Sequence, residues 1–115
     1  MTPAAIDAAI FAELQGTAGA DFVKELATTF LEEAPAMLTE LRSARAASDA
    51  DRFRRSAHSL KSNSQTFGAL PLGALARELE LRGLDPDPAI DALRLAKLEA
   101  EYARAASALR DLCHG

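Results

Sequence analysis

The longest uninterrupted helical pattern in the chain is PAIDALRLAKLEAEYARAASALRDL, which spans residues 88–112. Its large apolar residues recur at alternating steps of three and four, which is typical of a narrow helix face that packs against other helices. Asp87 suits the N-cap of this helix and Pro88 its first position. The pattern therefore predicts a long final helix in a helical core. Its buried face is predicted to comprise Leu95, Leu98, Tyr102, Ala105, Leu109 and Leu112.

Two further helical patterns lie in the N-terminal half. Thr2 and Pro3 predict the start of a short first helix, whose buried face would comprise Ile6, Ile10 and Leu14. A second helix is predicted from near Asp21, and Pro35 within it predicts a kink or a break. The buried face of this second helix is predicted to comprise Phe22, Leu26, Phe30, Ala34, Leu38 and Leu41.

Two more helices are predicted between residues 49 and 83. The third helix is expected to start near Asp49 or Asp51, with Phe53, Ala57, Leu60 and Phe67 facing inward. The fourth is predicted to run from about Leu70 to Arg82, with Pro71 in its first turn and Gly83 as its C-terminal cap. Its apolar face is predicted to comprise Leu72, Leu75 and Leu79.

Composition places the chain in the all-α class. The 115 residues include 26 Ala and 17 Leu but one Val, three Ile and no Trp, so helix formers far outnumber strand formers. Short links between amphipathic helices favour antiparallel neighbours. We therefore predict an antiparallel four-helix bundle with a short additional N-terminal helix, forming a single domain over residues 1–115. Because the helices suffice to close a bundle alone, we expect a monomer.

Charge and cysteine content exclude several classes of protein. The net charge of −4 argues against a nucleic-acid binder, which would need a basic face. A single cysteine, Cys113, fits a reducing compartment, and the absence of a long apolar run or a secretory signal predicts a cytoplasmic protein without a membrane span. Cys113 and His114 are too few ligands for a structural zinc site, so no metal site is expected. The acidic residues of the last two helices are spaced for solvation.

The outward side of the third helix carries an unusual set of polar residues. Helical spacing predicts that its six members project from roughly one face; they are Arg54, Arg55, His58, Lys61, Ser62 and Gln65. The segment from Arg52 to Phe67 contains three Arg and one Lys but no Asp or Glu, a local charge of +4 around one histidine. A cationic face of this kind suits a group that gains negative charge, such as a phosphoryl group.

The residues around His58 resemble a known signature. The stretch AHSLKSNSQTFGA at 57–69, followed by Leu79-Glu80 near the end of the next helix, resembles the motif of histidine-containing phosphotransfer (HPt) domains. These domains are four-helix bundles that carry phosphoryl groups between receiver domains in phosphorelays. The resemblance covers nearly the whole chain in length and helix layout, and its specific part lies between Ala57 and Glu80.

The resemblance implies roles for individual residues. His58 would be the phosphoryl acceptor, because neutral imidazole is a good nucleophile near neutral pH. Glu80 would hold the Nδ1–H group of His58, and Lys61, predicted to be exposed, would neutralise the phosphoryl oxygens. Ser62 stands where Gly is most frequent in the family, and like Gln65 it would lie in the path of a docking receiver domain. Arg54 and Arg55, less regular in the family, would add to the electrostatic field or contact the receiver.

The same resemblance implies the partners and the chemistry. Response-regulator receiver domains or a hybrid sensor histidine kinase would be the partners. The receiver would supply an aspartate and Mg²⁺, so the chain needs no cofactor of its own. No glycine-rich nucleotide loop is present, so ATP-dependent kinase activity is not expected.

Two other functions remain open at this stage. The chain could be an HPt-like helical adaptor that binds a receiver or kinase domain without accepting phosphate, although such an adaptor would need neither His58 nor Lys61. It could also be a kinase dimerisation domain, which likewise places a histidine on a helical bundle. That class needs two long helices per subunit and an attached ATPase domain.

Overall fold

A computed structural model, which describes residues 3–114, shows five helices: α1 (Ala8–Ala18), α2 (Ala20–Ala46), α3 (Ala50–Thr66), α4 (Leu70–Arg82) and α5 (Pro88–His114). Helices α2 and α4 each pack against both α3 and α5, so α2–α5 close a four-helix bundle, and α1 lies against α2. The links at 47–49, 67–69 and 83–87 are short and turn each helix back beside its predecessor. The predicted architecture is therefore confirmed.

The first helix begins later than the sequence predicts. The carboxylate of Asp7 caps α1 by accepting the Ile10 amide hydrogen at 3.0 Å, so Asp7 rather than Pro3 precedes the helix; Thr2 lies outside the described residues. The backbone amide of Asp7 also donates to the Gly68 carbonyl at 2.8 Å. Gly68 has a φ of 78°, and a Cβ atom there would come within 3.1 Å of the Asp7 carbonyl. This glycine therefore lets the start of α1 dock on the α3–α4 turn.

Helix α2 continues through Pro35 as one helix of 27 residues, so the predicted break is wrong. Proline removes one amide hydrogen, which leaves the Leu31 carbonyl without its intrahelical donor. The hydroxyl of Tyr102 on α5 faces that carbonyl at 3.4 Å and donates to it. Burial raises the pKa of Tyr102, which keeps the hydroxyl protonated. A tertiary contact thus compensates for the proline.

We expect Tyr102→Phe to lower the free energy of unfolding by about 0.5–1.5 kcal/mol, the usual net worth of one hydrogen bond. Phenylalanine keeps the ring contact with Phe30, whose centroid lies 6.1 Å from that of Tyr102. The loss would therefore report the hydroxyl alone. Urea unfolding followed by circular dichroism measures it, with unchanged helicity as the control. An unchanged midpoint would show that the Leu31 carbonyl does not need this donor.

Most of the predicted core residues of α3, α4 and α5 are buried, with Leu75 and Tyr102 half-buried. Two residues depart from the prediction. Phe22 is 52% exposed because the first turn of α2 buries Val23 instead, whereas Phe30, Ala34 and Leu41 of the predicted face are buried. Leu112 is 39% exposed because it lies in the last turn of α5, beyond the last buried leucine, Leu109. Among the helices of residues 3–114, none is both long enough and apolar enough to span a bilayer.

The fully buried carboxylate of Asp91 lies where the loop after α4 meets the start of α5. Asp91 lies 2.9 Å from the Arg45 Nε and accepts a hydrogen bond from Arg94 Nη1 at 2.6 Å. It also accepts the Asp85 amide hydrogen at 3.0 Å, while Arg94 donates to the Gly83 carbonyl. The expectation that acidic residues of the last two helices are solvated is therefore wrong for Asp91. Its partners lie on α2, in the loop after α4 and on α5 itself, and together they fix the loop that ends α4.

Candidate functional site

His58 lies in the middle of α3 and points away from the core. The helix begins at Ala50 because the Asp49 carboxylate caps it, accepting the Arg52 amide hydrogen at 3.1 Å. Its inward residues Phe53, Ala57 and Leu60 are fully buried against the bundle and fix the rotation of the helix. The His58 side chain, which leaves the opposite side, is 57% exposed. An incoming group can therefore reach its ring.

One carboxylate joins His58 to Lys61. The Nδ1 atom of His58 lies 2.5 Å from Oε2 of Glu80, and the Lys61 ammonium donates to Oε1 of the same carboxylate at 2.7 Å. Helix α4 packs directly against α3 and carries Glu80 to this position. Lys61 is half-buried, with 20% of its side chain exposed, so the expectation that it faces water is wrong. Its ammonium is held in the α3–α4 interface by the carboxylate that contacts the histidine.

The electrostatics of this cluster keep Glu80 ionised. The hydrogen bond from Lys61 lowers the pKa of Glu80 below its ordinary value of 4.5, and the bond with His58 lowers the pKa further, while desolvation opposes both. An ionised carboxylate only accepts hydrogen bonds. A neutral imidazole facing it therefore carries its hydrogen on Nδ1, which leaves the Nε2 lone pair directed outward.

The local charge of +4 predicted for α3 is largely compensated in the folded chain. Arg52 pairs with Glu40 of α2, Arg55 pairs with Asp51 at 3.0 Å, and Lys61 pairs with Glu80. In the described part of the chain, no ion pair joins Arg54 to a carboxylate. The expected cationic face therefore reduces to one unpaired side chain. The counted segment began at Arg52 and left out Asp51, and a count along one helix omits the carboxylates of neighbouring helices.

The remaining predicted residues flank His58. Ser62 and Gln65 are both exposed on the outward side of α3. Gly73 of α4 lies beside Gln65, and a Cβ atom there would approach the Gln65 Cγ to 3.4 Å. The absence of a side chain at Gly73 thus allows α4 to lie close to α3 near the site.

A groove runs along the other flank of α3, between α3 and α2. It has a volume of about 470 Å³ and is lined by Ala36, Met37, Glu40, Arg52, Arg55, Ser56 and Ser59. Arg55 therefore lies on the α2 side of His58, whereas Glu80 and Lys61 lie on its α4 side. The two flanks of the histidine differ in both shape and charge.

Sequence reasoning missed two acidic residues that shape the site. Asp51 precedes Arg55 by four residues, a spacing that signals an ion pair on a helix surface. Glu40 lies on another helix and has no signal in the sequence, because only the packing of α2 against α3 brings it to Arg52. Both lower the effective charge that α3 presents to a ligand.

Comparisons with known proteins agree with this geometry. The family model described as Hpt domain matches residues 25–112. The crystal structure of histidine-containing phosphotransfer protein B (HptB) from Pseudomonas aeruginosa PAO1 is similar to this chain at a TM-score of 0.84 and 29% sequence identity, covering 98% of this chain and 97% of that one. A search of curated protein sequences found no match. Since the family model covers well over half of the chain, the protein belongs to the Hpt domain family.

Proposed function

We propose that the protein is a phosphorelay phosphocarrier: His58 accepts a phosphoryl group from the aspartate of a receiver domain and passes it to another receiver domain in two-component signalling. The observation that carries this proposal is the contact between His58 Nδ1 and Glu80 on an otherwise exposed ring. Membership of the Hpt family supports a carrier role in signalling.

The proposed reaction uses the lone pair of His58 Nε2. This atom attacks the phosphorus of an aspartyl phosphate, so an N–P bond forms as the P–O bond to the aspartate breaks. The aspartate leaves as a carboxylate with the electron pair of that bond. The ring becomes positively charged with its proton still on Nδ1, where the Glu80 carboxylate stabilises it. Transfer to the next receiver reverses these steps.

The receiver domain supplies the rest of the chemistry in this proposal. Its aspartate would carry the phosphoryl group, and a Mg²⁺ ion bound to the receiver would supply positive charge for the phosphoryl oxygens. The chain itself acts as a carrier and not as an ATP-dependent kinase. We propose that it works as a cytoplasmic monomer, one domain over residues 1–115, with response-regulator receivers or a hybrid sensor kinase as partners.

A two-step relay assay tests this function. A phosphorylated receiver is mixed with the purified chain, the chain is isolated, and a second receiver is added. We expect label on the chain, stable in alkali and lost in acid as for a phosphohistidine, and its transfer to the second receiver. Binding of a receiver without any labelling would overturn the carrier function and favour an adaptor.

Lys61→Ala is expected to slow transfer about 5- to 30-fold, because it removes the charge-assisted contact that holds Glu80 beside His58. The same change should raise the pKa of Glu80, because the Lys61 hydrogen bond is the main cause of its low value. In the wild type, the low pKa of Glu80 adds stability that is present above about pH 4.5 and disappears as pH falls through the folded-state pKa. The variant should show a smaller stability loss over that acid range.

NMR titration of the Glu80 carboxyl carbon and quantitative transfer assays measure the two effects. Lys97→Ala, a lysine exposed on α5, serves as the matched control. A variant whose Glu80 titrates as in the wild type would contradict the coupling between the two side chains.

A further inference from the structure

We propose that Arg54 is the principal phosphoryl-binding cation of this chain, forming the charged contact to the phosphoryl group on His58 Nε2. This inference rests on the proposed function and refines it. Helix α3 carries four cations, and their positions in the sequence do not show which of them is available to bind a phosphoryl group. The ion pairs of the folded chain show this.

Three of these four cations already face a carboxylate. Lys61 donates to Glu80 at 2.7 Å, Arg52 pairs with Glu40, and Arg55 lies 3.0 Å from Asp51. Arg54 is exposed, and within the described residues 3–114 it forms no ion pair. A phosphoryl group can therefore engage Arg54 without displacing a carboxylate. Engaging Lys61 would instead break a bond that keeps Glu80 against the histidine.

The two arginines lie on opposite sides of His58. At 3.6 residues per turn, Arg54 lies about 40° around the helix from His58 toward α4, and Arg55 about 60° toward α2. The contact with Glu80 holds the Nδ1 edge of the His58 ring on the α4 side, whereas Arg55 lines the groove on the α2 side. Arg54 is therefore closer to His58 around the helix than Arg55 is, and it lies on the flank that carries Glu80.

The two side chains also lie one helical turn apart. Arg54 precedes His58 by four residues, which places both side chains on adjacent turns of one face. A guanidinium in this place can donate two parallel hydrogen bonds to phosphoryl oxygens.

The charge of the phosphorylated site favours such a group. Before transfer, neutral His58, ionised Glu80 and protonated Lys61 sum to zero. Transfer makes the ring cationic and adds a phosphoryl group of roughly −1.5 to −2 charges at neutral pH, so the site becomes net negative by about 0.5 to 1. Arg54 supplies a positive charge that Glu80 does not already neutralise.

Labelling by a small phosphodonor tests the proposal without a docking partner. In phosphoramidate, the P–N bond breaks and ammonia leaves as the bond to His58 Nε2 forms. We expect Arg54→Ala to slow this labelling about 10-fold, the effect of losing one charge-assisted contact, and Arg55→Ala to change it less than about twofold. Arg54→Lys, which keeps the charge but not the paired donors, should recover part of the rate.

NMR distinguishes a direct contact with the phosphoryl group from a general effect of positive charge on the labelling rate. On phosphorylation, the Nε–H signal of Arg54 should shift strongly and that of Arg55 only weakly. Equal rates for Arg54→Ala and Arg55→Ala, or equal shifts of the two signals, would overturn the assignment while leaving His58 as the acceptor. Failure of the wild-type chain to be labelled by either phosphoramidate or a phosphorylated receiver would overturn the proposed function and this inference with it.

Discussion

His58→Gln is expected to reduce phosphoryl acceptance to background. The proposed reaction needs a nitrogen lone pair at Nε2, and the glutamine amide offers no comparable nucleophile. Glutamine is close in size and polar, and position 58 is exposed, so the bundle should keep its stability. Labelling by a phosphorylated receiver and by phosphoramidate, each followed over time, measures the loss.

The second histidine of the chain provides the control for this variant. His114→Gln should be labelled at the wild-type rate, since the proposed site assigns no role to His114. Circular dichroism should give the same helicity for both variants. Full labelling of His58→Gln with native helicity would refute the assignment of the acceptor, and labelling of the wild type by ATP alone would refute a carrier function.

Ser62→Tyr is expected to block transfer from a receiver domain while leaving labelling by phosphoramidate intact. Ser62 is exposed one turn from His58 on the same face, so a receiver that reaches Nε2 must also cover position 62. The reacting atoms must approach within about 3–3.5 Å, and a misplacement of about 1 Å can cost about 100-fold in rate. We therefore expect at least that loss for the receiver.

Ser62→Gly provides the matched control. It should transfer near the wild-type rate, with a loss of helix stability of up to about 1 kcal/mol. The comparison between donors separates docking from chemistry, because a tyrosine at 62 excludes a protein surface but not a small molecule. If a phosphorylated receiver labels Ser62→Tyr as fast as the wild type, the receiver docks on another face.

Local sequence signals predicted the last three helices closely. Asp49, Pro71, Gly83 and Asp87 act through their own backbone or the next turn, so their effects can be recognised without knowledge of the fold. The start of α1 and the continuity of α2 could not be predicted in this way. The backbone amide of Asp7 donates to the Gly68 carbonyl, and the Tyr102 hydroxyl donates to the Leu31 carbonyl that Pro35 leaves without an intrahelical donor. Both partners, Gly68 and Tyr102, are distant in sequence from the helix that they stabilise.

The sequence by itself determined the helical class, the outward direction of His58 and the spacing of its neighbours on α3, because hydrophobic periodicity fixes which face of a helix is buried. Tertiary structure alone decided the pairing of Arg52 and Lys61, whereas the Arg55–Asp51 pair is local to α3. The packing of α4 brought Glu80 between His58 and Lys61, and the packing of α2 brought Glu40 to Arg52. Coulombic interactions act through space and depend on distance, so a charge count along one helix cannot include carboxylates that neighbouring helices contribute.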